Sequence, residues 1–197
     1  MDMRLDDAHG GVPLHAKDDW GPLSGLPGNP MMWILILSEL VAFGALFAAF
    51  AVAHAVDPMT FDASQAQLDR LLGGINTLVL ITSGWLAAIA VQCRRSARSP
   101  RPALTGAMLL GAVFLCVKAI EYAQKFTAGI GIETNTFWTL YFLMTGFHAL
   151  HVVLGIVILA IVCWKDSLEN LETGTAFWHM VDIIWVILYP LIYLLRP

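Results

Sequence analysis

Seven ionisable side chains set within otherwise apolar stretches of this sequence are candidates for chemistry, and their spacing limits what that chemistry could be. Glu39 stands alone. Lys118 and Glu121 are three apart, as are His148 and His151, and again His179 and Asp182. Residues three apart are neighbours on one helical face, so each pair can act as a unit. Two histidines on one face could ligate a metal or a b-type haem. However, the Glu-x-x-His pattern of di-iron bundles and the CxxCH of c-type haem are both missing. The commoner role of a histidine inside a membrane is a hydrogen bond between helices. Lys118–Glu121 reads as a structural ion pair. Glu39 reads as a carboxyl that either bonds a neighbouring helix or takes part in proton movement.

The stretches that carry these residues decide the fold class. The chain has 197 residues, 58% hydrophobic and 13% charged, with a mean hydropathy of +0.70. An average soluble domain has about 45–50% and about 25%. Five apolar runs, at roughly 31–56, 72–93, 103–126, 136–163 and 177–195, are each long enough to cross a bilayer, which takes about 20 residues. The expected fold is an all-α integral membrane bundle of five transmembrane helices. A polar tail, residues 1–29, precedes a single transmembrane domain, residues 30–197. MDMRLDDAHGGVPLHAKDDW holds five acids and two bases and lacks the apolar core of a signal peptide. Pro190 falls inside the last run and predicts a kink.

Loop charges give an orientation. The 94–102 loop carries four arginines and no acid, whereas Arg70 in the 57–71 loop is set against Asp57, Asp62 and Asp69. Arginine-rich short loops stay cytoplasmic, so the N-terminus and tail are expected inside and the C-terminus outside. Basic residues form no single face, which argues against nucleic acid as a partner. Cys93, Cys116 and Cys163 are isolated and read as packing residues.

Burial costs then predict where the polar residues point. At about 3 kcal/mol each, Glu39, Lys118, Glu121 and Asp182 facing lipid would cost roughly 12 kcal/mol. They are therefore expected to face the bundle or a partner protein. Counting along the helices puts Asp182 about 8 Å, Glu39 about 13 Å and His151 about 18 Å from the inner side. Lys118 and Glu121 lie about 12 and 8 Å from the outer end of their helix. This predicts an inner Glu39–His–Asp182 group and an outer Lys118–Glu121 pair with Asn76 in reach. No Lys or Arg shares the depth of Glu39, so it is expected as a hydrogen-bonding carboxyl, not a lone charge. Gly44/Ala48 and Ala45/Ala49 on the first helix, and Gly84/Ala88 on the second, have the spacing of close helix contacts.

Five segments carry a resemblance. MWILILSELVAFGALFAAF, INTLVLITSG, KAIEYAQK, YFLMTGFHALHVVLGIVIL and FWHMVDIIWVILYPLIYLL, in this order from about residue 30 to the end, resemble subunit III of the haem-copper oxidases. The resemblance implies a short, five-helix form, since the first two of the family's seven helices have no counterpart here. It implies a non-catalytic subunit that binds no cofactor itself. Haem, with copper or non-haem iron, would reside in a partner catalytic subunit I-type protein, and phospholipids would be further partners. Glu39 matches the family's intramembrane glutamate, the proton- or lipid-linked position. Glu121, His148, His151, His179 and Asp182 match its other polar positions. Lys118 in KAIEY and the ending WHMVDIIWVILYPLIYLL lean toward the accessory protein of nitric oxide reductases, hence denitrification. Subunit III of a cytochrome c or quinol oxidase is the alternative, and either would sit in a bacterial inner membrane. Two remoter readings stay open: a stand-alone b-type haem protein using His148 or His151, and a proton-coupled transporter using Glu39 and Asp182.

Overall fold

A computed structural model of the chain describes residues 30–165 and 167–195; the tail, residues 1–29, and Arg196 lie outside this range. Every regular element in it is helical: α1 Pro30–Val56, α2 Pro58–Gln65, α3 Arg70–Arg95, α4 Arg101–Thr127, α5 Thr136–Lys165 and α6 Leu168–Tyr189, then a π-helical turn Pro190–Leu194. Five of the helices are long and apolar enough to cross a membrane. The protein is a multi-pass membrane protein.

α6 is the axis of the bundle. It packs on α1, α3 and α5, while α4 closes the far side against α3 and α5. One of its fully buried anchors is Trp178. The indole Nε1 donates to Ser83 Oγ on α3 (3.2 Å), and Ser83 donates onward to the Ala107 carbonyl on α4 (2.7 Å). Gly111 and Gly155 flank the same ring. A Cβ at either would lie 2.7 and 2.6 Å from Trp178 ring carbons, so only glycine lets α4 and α5 approach this closely.

The last helix begins earlier than expected. Residues 168–175, expected to lie before the last span, form the first turns of α6. Ser167 caps it by accepting the Asn170 amide (3.2 Å), and Thr175 returns its hydroxyl to the Leu171 carbonyl (2.8 Å). Side-chain caps and back-bonds let polar residues stay helical at a membrane surface. The 57–71 loop likewise contains a helix. Asp57 caps α2, Phe61 inserts beside Phe50 and Phe137, and Asn135 donates to Ser64 (3.1 Å).

At the other end of α6, Pro190 has no amide hydrogen to continue the ladder. The chain widens into the π-helical turn, closed by Leu195 N donating to Pro190 O (2.9 Å). The π-helical turn stands where a kink was expected. It carries Tyr193 into the bundle, fully buried.

The small residues of α1 do not join helices within the chain. Gly44, Ala45, Ala48 and Ala49 are not buried, and a Cβ at Gly44 would meet nothing within 4 Å. The inward face is aromatic instead, with Phe43 and Phe50 buried. Spacing alone marks a face but not its direction, and bulk wins the core here.

Candidate functional site

Lys118 and Glu121, expected as an outer pair, belong to a closed four-residue network. Lys118 Nζ donates to Glu121 Oε2 (2.9 Å) and to the hydroxyls of Tyr141 and Tyr193 (3.1 Å each). Both hydroxyls donate in turn to Glu121 Oε1, at 2.8 and 2.7 Å. All three ammonium hydrogens and both carboxylate oxygens are used. The side chains are 4% and 5% exposed, so complete pairing is what makes the charges tolerable. The Nζ also lies 5.4 Å from the centre of the Trp185 ring. Tyr141 and Tyr193 were missed at the level of sequence, because they come from α5 and the π-helical turn. Matching depth could have found Tyr141: it stands about 8 Å from the start of α5, and Glu121 about 9 Å from the end of α4.

Asn76 does not join this network. Its amide donates to the Phe114 carbonyl (3.3 Å), tying α3 to α4.

The expected inner group is instead two pairs on different helix contacts. Glu39 Oε2 lies 3.1 Å from His151 Nε2, joining α1 to α5. His151 Nδ1 lies 2.8 Å from the Phe147 carbonyl, a contact that needs a hydrogen on Nδ1. Nε2 then faces Glu39 at ion-pair distance but without hydrogen-bond geometry, since Glu39 Oε2 has no hydrogen-bond partner among the described residues. A carboxyl beside a neutral imidazole and a carboxylate beside an imidazolium both have zero net charge, which limits the cost of burial.

Asp182 sits elsewhere. Its carboxylate fills the space over Gly84 of α3, where an added Cβ would overlap it. His179 Nδ1 lies 3.9 Å from its Oδ2, beyond a hydrogen bond. The expected depth of about 8 Å for Asp182 is corrected by the earlier start of α6. Arg95 and Glu172 pair at 2.8 Å near the membrane surface, and Asp182 is ten residues beyond Glu172, hence about 15 Å deeper.

His148 also departs from expectation. It is buried, and neither ring nitrogen has a hydrogen-bond partner among the described residues. Its ring is edge-on to Phe43 and Phe114 and tilted against Trp185, 5.0 Å between centres. It is an aromatic packing residue, not a member of a polar network. Among the described residues, no group of three or more His, Cys, Asp or Glu is placed to hold a metal.

This arrangement can hold five helices in register and sets Glu39 beside His151. The family model described as Cytochrome c oxidase subunit III covers residues 28–196. The chain belongs to this family. Within the haem-copper oxidase subunit III group, it is 33% identical over 174 residues to "Cytochrome c oxidase subunit 3" of Thermostichus vulcanus, spanning 82% of this chain and 84% of that one. It is 26% identical over 179 residues to "Probable quinol oxidase subunit 3" of Staphylococcus saprophyticus, spanning 83% and 86%. A third relative, "Heme-copper oxidase subunit I+III" of Aeropyrum pernix, is 29% identical over 180 residues, 83% of this chain but 22% of that longer protein.

Proposed function

We propose that this subunit III chain is a non-catalytic accessory subunit of a respiratory haem-copper complex in a bacterial inner membrane. In this reading it binds a subunit I-type catalytic protein that carries the haem, and it supports assembly, durability, phospholipid binding and proton uptake. The observation that carries the reading is the relative named subunit I+III, in which the matching segment is part of one chain with a subunit I. A covalent union of that kind makes sense when the two parts work side by side. The internal pairing of Lys118 with Glu121, and of Glu39 with His151, supports a structural role for this chain beside a partner that does the electron chemistry.

We take the complex to be a cytochrome c or quinol oxidase, as the names of the similar proteins suggest. Membership in a nitric oxide reductase is the second reading, favoured by Lys118 in KAIEY and by the sequence of the last helix. Copurification from native membranes, with identification of the partner's haems and electron donor, separates the two.

Glu39 has the proton-linked place in this reading. Moving a proton between Glu39 Oε2 and His151 Nε2 changes no net charge and leaves the two charges it creates 3.1 Å apart, so it costs less than charging either group alone. Glu39→Gln keeps the size and polar contact but removes the titratable group. The complex should assemble with its full haem content and lose at most part of its turnover, proton uptake or durability. Complete loss of catalysis in an intact, haem-replete complex would overturn the accessory role.

A further inference from the structure

A cavity of about 310 Å³ opens where α3 ends, lined by Ile89, Gln92, Cys93, Ser96 and Arg98. Its shape follows from the backbone of the turn. Arg98 N donates back to the Cys93 carbonyl (2.8 Å) and Ala97 N to the Arg94 carbonyl (3.2 Å), with Ala97 at φ 55°. This paired closure with a left-handed residue folds the chain back over the last helical turn. Arg98 is thereby returned to the side of α3 that carries Ile89 and Gln92.

The chemistry of the lining is that of a phosphate site over an apolar floor. Arg98 has a guanidinium fork, which matches phosphate oxygens. Ser96 offers a hydroxyl and Gln92 an amide. Among the described residues the side chains of Gln92, Ser96 and Arg98 make no hydrogen bond or ion pair with one another or with any other group. The turn holds Arg94, Arg95, Arg98 and Arg101 with no acid. Arg95 is already paired with Glu172.

The position of the cavity selects the kind of phosphate. α3 has 26 residues, about 39 Å, against a hydrocarbon core of about 30 Å, so its last turns reach the headgroup layer. Below Ile89 the outward side of α3 continues with Trp85, Ile81 and Leu78, all exposed and at helical spacing. From Ile89 to Leu78 this apolar stripe runs about 16 Å, close to half the thickness of the core.

We propose that this cavity holds the headgroup phosphate of an anionic phospholipid, phosphatidylglycerol, with one acyl chain along Trp85, Ile81 and Leu78. The inference rests on the membrane placement of α3 and on the lipid-binding part of the function proposed above. Its failure would leave attachment to the catalytic subunit, read by copurification, untouched.

Native mass spectrometry of the full chain in detergent, with added dioleoyl phosphatidylglycerol or dioleoyl phosphatidylcholine, tests it. The wild type should retain phosphatidylglycerol in preference. Arg98→Gln should weaken that retention about five- to tenfold, the effect of one cation at a lipid surface, down to the phosphatidylcholine level. Lys165→Gln, at a cation on a different turn, should leave it unchanged. A readout that needs no variant is alkylation of Cys93, followed by peptide mapping: phosphatidylglycerol should slow it, and phosphatidylcholine should not. Equal retention of the two lipids by the wild type, or unaltered retention by Arg98→Gln, would overturn the site. Displacement of the lipid by millimolar inorganic phosphate would make it a site for a solution anion instead, and protection of Cys93 only by a copurified protein would make it a protein contact.

Discussion

Lys118→Met deletes the ammonium and keeps the apolar length of the side chain, which isolates what the buried network is worth. Glu121 would keep the Tyr141 and Tyr193 hydroxyls on Oε1 but lose the one cation bonded to it among the described residues, on Oε2. Breaking one side of a buried pair costs about 3–5 kcal/mol, because the remaining charge has no offset. Glu121→Gln should cost about as much by stranding the ammonium against two hydroxyls. The double variant holds no charge, and both hydroxyls can still donate to the amide oxygen that takes the place of Oε1. It should therefore be less damaging than either single change, with a coupling of at least about 2 kcal/mol. That is a factor of about thirty in the ratio of folded to unfolded chain. Unfolding in mixed micelles by added dodecyl sulfate, followed by tryptophan emission, measures all four states of the cycle, and Trp185 beside Lys118 serves as a local reporter. Additive single costs, with a coupling below about 0.5 kcal/mol, would refute the network as a unit and leave four residues that merely lie together.

Three other outcomes are expected. Gly155→Ala drives a Cβ to within 2.6 Å of the fixed Trp178 ring and should cost about 1–3 kcal/mol in the same unfolding assay, whereas Gly44→Ala, with nothing within 4 Å, should not destabilise and can gain up to about 1 kcal/mol of helix propensity. Hydrogen bonds from the Thr60 hydroxyl and then its amide hold the Asp57 carboxyl below its ordinary value of 3.8. A group lowered in the folded state stabilises above its unfolded value and loses that contribution as pH falls through the lowered one. Protection factors for the α2 amides, corrected for the intrinsic exchange rate at each pH, should therefore fall on acidification below about pH 4, and Asp57→Asn should flatten that response. For the proposed orientation, a cysteine placed near Asp62 should react with a maleimide added outside intact cells, and one near Ser99 should not; the reverse pattern places the arginine turn outside.

Much of the fold was legible because a bilayer imposes one strong rule, a run of apolar residues for every crossing. Four of the five spans begin and end within about two residues of where hydropathy alone puts them. The fifth failed at its start, since the criterion that finds a span is apolarity and α6 opens with Asn170, Glu172, Thr173 and Thr175. Pair spacing was legible too: Lys118 with Glu121 is a local i,i+3 contact. What spacing could not show was the partner helix. Glu39 finds His151, Lys118 finds two tyrosines, and His148, one turn from His151 on the same helix, finds only aromatic rings.

The misplaced start of α6 has a consequence beyond a boundary. It moves Asp182 from the headgroup side to about the midplane, where a carboxylate is hardest to keep. Gly84 on α3 is eleven residues before Arg95, about 16 Å from the same surface, and so stands level with it. Read by its spacing with Ala88, Gly84 marks a place where two backbones meet. In the structure the space left by its missing side chain is taken by the Asp182 carboxylate, and Ala88 is not buried. The glycine is therefore required by a polar group on another helix, and Asp182 belongs with α3 rather than with Glu39. Gly84 and Asp182 form one feature, and the polar level of the bundle at this depth divides between an α1–α5 contact and an α3–α6 contact.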